Sequence, residues 1–137
     1  MLILESDAGI RHLLEVLLGR DGYTTRCAED GRAAIRAMAQ DSFVALLVDI
    51  SIWPSRMEPG QRRGIGFLHW LQRYDPGALQ RVVAMSALAD RDLRGTLPPV
   101  RAFIHKPFSI DDLREAVAKC GEQTAAGFQS LTGSRTQ

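Results

Sequence analysis

The chain has 137 residues, 45% of them hydrophobic, with 17 basic and 16 acidic side chains and a formal charge of +1. That length suits one domain with a single well-buried core, and the near-neutral balance gives neither nucleic acid nor a membrane surface a strong field to bind. No apolar run approaches the ~18 residues of a membrane-spanning helix, and no basic region precedes the first apolar residues as in a signal peptide, so a soluble cytoplasmic protein is expected.

Met1-Leu2-Ile3-Leu4 reads as a short apolar strand ending in Glu5-Ser6-Asp7. It begins abruptly, and because inner strands usually have a residue or two of lead-in, a start upstream of Met1 is expected. Ile10, Leu13, Leu14, Leu17 and Leu18 fall at i, i+3, i+4, i+7 and i+8, the stripe of an amphipathic helix, which Gly19 and Asp21-Gly22 end. Tyr23 to Cys27 alternates and is rich in β-formers, as a strand should be. Asp30-Gly31 turns into a second helix, about 31 to 40, with Ala34, Ile35 and Met38 inward. Cys27 and Cys120 form no metal or redox motif and read as reduced core or near-core thiols.

Phe43-Val44-Ala45-Leu46-Leu47-Val48-Asp49 then runs six apolar residues into one carboxylate. Such a run predicts a strand buried on both faces. A charge at its middle would be very costly. At its C-terminal end a charge meets the crevice where open α/β sheets bind ligands. Asp49 is therefore placed to meet a ligand or do chemistry, beyond the turn-forming role common for Asp.

The segment 53 to 63 reads as a long loop with Pro54, Pro59, Gly60 and three arginines against Glu58, and loops of this length are often functional. A third helix is predicted over 64 to 74, with Phe67, Leu68 and Leu71 apolar, stopping before Asp75-Pro76-Gly77. Arg81 to Met85 is a buried strand that delivers Ser86. Residues 88 to 95 make at most a short helix, closed by Gly95 and Pro98-Pro99. Arg101 to His105 is the last strand and delivers Lys106-Pro107. Ser109 caps a final helix whose inner stripe is Ile110, Leu113, Val117 and Cys120. From Gly121 the chain is small, polar and linker-like.

Five strands alternating with five helical segments mean βαβ units. Right-handed crossovers then give an α/β fold, a flavodoxin-like doubly wound five-stranded parallel sheet of order 2-1-3-4-5 with helices on both faces. Parallel strands gather their C-terminal ends on one side, here Glu5, Ser6 and Asp7 from the first strand, Asp49 from the third, Ser86 from the fourth and Lys106 from the fifth. Carboxylates from two strands make a hard oxygen site suited to Mg²⁺. A lysine can pair with a carboxylate or a phosphoryl oxygen, and a hydroxyl can hydrogen-bond the same phosphoryl group. Together they make an aspartyl-phosphate site.

With these residues in this order the chain resembles a response-regulator receiver domain of two-component signalling, CheY-like, over about residues 1 to 122, with 123 to 137 a small polar tail. The resemblance implies an acidic pair at Glu5 and Ser6, a phosphoacceptor at Asp49 and a metal-binding backbone carbonyl at Ser51. It implies a hydroxyl switch at Ser86-Ala87, an aromatic switch at Phe103 and the Lys-Pro-Phe signature at Lys106-Pro107-Phe108, where the family uses a cis peptide to aim the lysine. Mg²⁺ would be held by Glu5, Asp49 and Ser51, and Asp49, Ser86 and Lys106 would carry the phosphoryl chemistry. The implied partners are a sensor histidine kinase or phosphotransfer protein and a downstream protein target, with no direct nucleic acid and no membrane.

The departures from the family pattern are specific. Ser6 stands where the family usually has a metal-binding Asp, so weaker Mg²⁺ binding is expected. Asp7 is a candidate to make up the charge, because alternation puts Glu5 and Asp7 on one side. The loop after Asp49 is about twice the family's usual length, and its Trp53, Arg56, Arg62 and Arg63 are expected to border the site. The region between Ser86 and Phe103 is shortened and carries Pro98-Pro99, so a remodelling of the family's output face is expected.

Two functions compete on this pattern: a receiver phosphorylated on Asp49, acting by protein contact and not as an enzyme beyond its own autophosphorylation and autodephosphorylation, and a degenerate receiver working as a phosphorylation-independent interaction module. A haloacid-dehalogenase-like phosphatase would need an Asp where Ser51 stands, and a serine hydrolase would need glycines in place of Ala84 and Leu88. Gly64-Ile65-Gly66 lacks the third glycine and preceding strand of a dinucleotide site. His12, His69 and His105 have no companions at metal-ligand spacing.

Overall fold

The computed structural model describes residues 1–50, 64–86 and 97–120. Strands β1 (Leu2–Leu4), β2 (Arg26–Ala28), β3 (Leu46–Asp49), β4 (Val82–Ser86) and β5 (Ala102–His105) alternate with α1 (Ala8–Arg20), α2 (Gly31–Gln40) and α3 (Gly64–Tyr74). A 3-10 helix spans Pro76–Arg81, and a helix over 110–120, α4, ends the described chain. The strands form one parallel sheet of order β2-β1-β3-β4-β5. The chain reverses direction across the sheet between β1 and β3, so the crevice at their C-terminal ends is the topological switch point.

Alternation along the strands divides the core in two. Leu2, Leu4, Leu46, Val48, Val82 and Ala84 pack with Ala34 and Ala37 of α2 and Phe67, Leu68 and Leu71 of α3. Ile3, Leu47, Val83, Met85 and Ile104 pack on the other face with Leu14 and Leu18 of α1 and Leu113, Val117 and Cys120 of α4. Helices thus cover both faces, as the alternation of strands and helices predicts.

Asp30 caps α2 by accepting the Ala33 N–H at 2.9 Å. At α4, Ser109 Oγ accepts the Asp112 N–H at 3.0 Å, and the Asp112 carboxylate accepts the Ser109 N–H at 3.3 Å. This reciprocal arrangement satisfies two amides that a helix start leaves open. Cys27 Sγ donates to Glu15 Oε1 at 2.8 Å, and Cys120 Sγ to the Ala116 carbonyl at 3.8 Å. Among the described residues no helix is long and apolar enough to cross a membrane.

Several local expectations need correction. The central strand begins only at Leu46, with Phe43 half-buried and Val44 48% exposed. The second strand lies at Arg26–Ala28, later than the Tyr23 to Cys27 run, because its pairing with Leu2–Leu4 sets the register. Leu13 and Ile110, expected inward, are 50% and 45% exposed. The sheet-facing arc of α1 is narrower than its apolar stripe, and Ile110 opens α4, where its side chain lies over the preceding turn. The 3-10 helix, unforeseen, buries Ala78 and Leu79. The expected loop over 53 to 63, the short helix over 88 to 95 and the tail lie outside the described residues.

Gly64 positions the site by being small. A Cβ there would stand 1.9 Å from the Asp49 carbonyl oxygen and 2.7 Å from its carbon, both rigid backbone atoms. Helix α3 therefore starts flush against the peptide that carries Asp49. Gly64→Ala should lower the unfolding free energy by about 1–3 kcal/mol in urea melts through overpacking. Gly77→Ala, where a Cβ meets nothing within 4 Å, should stay within about 0.5 kcal/mol of the parent. Equal effects at the two positions would refute the close approach.

Candidate functional site

The sheet brings four predicted site residues to one edge. Asp49 ends β3, Ser86 ends β4, and Glu5 and Lys106 directly follow β1 and β5. Backbone bonds carry the ladder onward: the Ile50 N–H donates to the Met85 carbonyl and the Lys106 N–H to the Ser86 carbonyl, each at 2.8 Å. The Lys106–Pro107 peptide is cis. Lys106 Nζ lies 2.8 Å from Glu5 Oε2, across 101 residues of sequence, and 3.4 Å from Asp49 Oδ1. The side chains of Glu5, Asp49 and Lys106 are only 1%, 12% and 16% exposed. Ser86 is fully buried.

This arrangement holds two carboxylates against one ammonium with little water to screen them. Burial pushes the Glu5 carboxyl above its ordinary range; the hydrogen bond from Lys106 pulls it back, and the charge of Asp49 raises it again. Both Glu5 oxygens are engaged, since Oε1 also accepts the Asp7 N–H at 3.2 Å.

The other predicted residues are placed differently. Ser6 is exposed. Asp7, the candidate to make up its charge, instead caps α1: its Oδ1 accepts the Ile10 N–H at 3.0 Å. The chain leaves β1 after Leu4, so strand alternation no longer governs which way Asp7 faces. Two carboxylates therefore face Lys106, and no group of three or more His, Cys, Asp or Glu among the described residues is arranged to hold a metal. Ser51 and the arginine-bearing loop lie outside the described residues. Phe103 is half-buried against the α2–α3 side of the core, its ring 5.3 Å from that of His105.

Sequence reasoning missed two residues. Gly64 carries no motif of its own. Arg11, which the sequence analysis does not single out, donates from Nη1 to the carbonyls of Glu5 and Ser6 at 2.9 and 3.3 Å. An arginine one turn into a helix that begins three residues after a strand end was the available signal.

The raised Glu5 carboxyl has a definite consequence for stability. The folded state holds that proton more tightly than the unfolded chain, so the contribution is complete below the ordinary carboxylate range and is lost as pH rises through the folded value. In metal-free buffer, Glu5→Gln should gain stability relative to the parent as pH rises from about 4 to about 7, read from urea melts. A variant that instead loses ground with rising pH would show that the Lys106 pair outweighs burial.

The family model of the response regulator receiver domain matches residues 1–118. Sporulation initiation phosphotransferase F of Bacillus subtilis is 31% identical over 121 residues, 87% of this chain and 90% of that protein. Response regulator protein PilR of Pseudomonas aeruginosa is 27% identical over 85% of this chain, which spans 25% of PilR. Among solved structures, the Francisella response regulator 1452 receiver domain superposes with a TM-score of 0.73 at 24% identity, covering 90% of this chain and 96% of that one. Response regulator TrrA of Thermotoga maritima in complex with Mg²⁺-BeF gives 0.69 at 23%, covering 87% and 96%. A family model spanning the whole sheet, on a fold with this strand order, means that the chain belongs to the response regulator receiver domain family.

Proposed function

We propose that this receiver takes a phosphoryl group onto Asp49 from a histidine kinase or phosphotransfer protein and signals by protein contact. Family membership makes it a signalling domain of two-component phosphorelays, not a classical enzyme. The observation that carries the finer reading is Lys106 Nζ held within 3.4 Å of Asp49 Oδ1 at the strand-end crevice. An Asp49 carboxylate oxygen would attack phosphorus as the donor's P–N or P–O bond breaks, leaving an acyl phosphate on Asp49. Lys106 would then trade its carboxylate partner for a phosphoryl oxygen, with the Ser86 hydroxyl at the next strand end as a further donor. Phe103 is the side chain proposed to follow. The population of the signalling conformer would shift only as far as these groups bind the phosphorylated state better.

Mg²⁺ fits the donor set in part. The ion takes one or two carboxylates together with phosphate oxygens, and Glu5 and Asp49 are two carboxylates on adjacent strands. They would hold the ion with the Ser51 carbonyl, and the relative TrrA was solved with Mg²⁺-BeF. The bound ion supplies charge neutralisation at the transferring phosphoryl oxygens. Ser6 contributes no charge and Asp7 is committed to its cap, so the binding is proposed to be weak. The same observation favours a second reading, a degenerate receiver that acts as an interaction module without phosphorylation. In either case the domain is taken to span 1 to 122, followed by the polar tail 123 to 137.

Incubation with acetyl phosphate and Mg²⁺, followed by intact mass, should add one phosphoryl group to the parent and none to Asp49→Asn or to metal-free protein. No gain at high metal would select the degenerate reading. Ser6→Asp should tighten Mg²⁺ roughly tenfold or more by calorimetry. An unchanged affinity would place position 6 outside the metal site.

A further inference from the structure

We infer that Arg11 is a positioning residue of this site: its guanidinium clamps the bend at Glu5–Ser6 that turns the Glu5 carboxylate toward Lys106. The inference rests on the proposed phosphoacceptor role of Asp49 for its functional meaning, but its geometry stands alone. Strand β1 pairs with β3 only as far as Leu4 opposite Val48. Past that point the Glu5 N–H still reaches the Ala28 carbonyl at 3.2 Å. The carbonyls of Glu5 and Ser6 both turn to a single nitrogen, Arg11 Nη1, at 2.9 and 3.3 Å.

Successive carbonyls of an extended strand point to opposite sides. Two of them on one donor therefore mark a bend, and Arg11 holds it by charge-assisted hydrogen bonds. The Glu5 side chain has partners of its own, with Oε2 on Lys106 and Oε1 on the Asp7 N–H. Arg11 is itself anchored by its own N–H to the Asp7 carbonyl at 2.9 Å, in the first turn of α1. Its side chain is 18% exposed, and it also pairs with Glu29, which is 3.9 Å away and 82% exposed. So loose a pair is worth little, which leaves the two carbonyls as the contacts that matter. With Ser6 uncharged and exposed, the aim of Glu5 falls on this clamp.

The test compares Arg11→Gln, Arg11→Lys and Glu29→Gln with the parent, by amide hydrogen exchange at Asp7 and at Leu47 in the core and by the rate of phosphoryl uptake from acetyl phosphate. Arg11→Gln should speed exchange at Asp7 about tenfold or more while leaving Leu47 nearly unchanged, and should slow uptake about tenfold. Arg11→Lys keeps the charge but loses the planar guanidinium and should fall between; Glu29→Gln should match the parent. Unchanged exchange at Asp7, or equal acceleration at Asp7 and Leu47, overturns the inference, the second by reducing Arg11 to general stability. Should Arg11→Gln fail to fold, Arg11→Lys decides by the same criteria. A parent that takes up no phosphoryl group defeats the Asp49 reading alone, and the exchange comparison still decides the clamp.

Discussion

One ammonium shared by two poorly hydrated carboxylates is the interaction on which the functional end of this fold depends. Removing the lysine from such a set leaves two carboxylates without a counter-charge, and breaking a pair in this way costs about 3–5 kcal/mol where burial is complete. Lys106 approaches Glu5 more closely than Asp49, at 2.8 against 3.4 Å. Glu5 is thus the anchor of the lysine and Asp49 the more loosely held partner, which suits a residue proposed to change its charge. Hydrophobic burial pulls the strands together, and the charges then meet only because the parallel sheet ends its strands on one side.

The elements around the pocket serve that meeting. Lys106 is tethered to Ser86 by its backbone N–H, Ile50 to Met85, and α3 abuts the Asp49 peptide through Gly64. Asp7 spends its carboxylate on the α1 cap and its amide on Glu5. The loop from β1 to α1 is only three residues long, yet side chains at Glu5, Asp7 and Arg11 all bond to its backbone or to an amide of the first helical turn. Such side-chain bonds replace the ladder where the strand stops.

The architecture was legible because it rests on period and order. Leu46 and Val48 face one layer and Leu47 the other, as a strand of period two must, and the boundaries of α2 and α3 matched their apolar stripes and turn residues. The meeting of Asp49 with Lys106 was legible because both end apolar runs in a fold whose strand ends converge. What stayed hidden depends on where the chain bends in space. Asp7 reads as a metal ligand if the strand continues and as a cap if it stops. The exposure of Leu13 and Ile110 depends on how α1 and α4 roll on the sheet, which heptad-like spacing does not specify. Gly64 is called for by a backbone fifteen residues away, and no pattern around it says so.

The two thiols stand apart from all of this. Burial and the neighbouring Glu15 push Cys27 up to about 12, and burial raises Cys120 as well. Only the thiolate reacts with oxidants, alkylating agents or disulfides. Near neutral pH both sulfurs stay protonated, and the Cys27 thiol donates to Glu15 Oε1, 2.8 Å away. Thiolate chemistry at these two positions is therefore suppressed near neutral pH, and the acidic pocket keeps its charge balance on its own carboxylates and lysine.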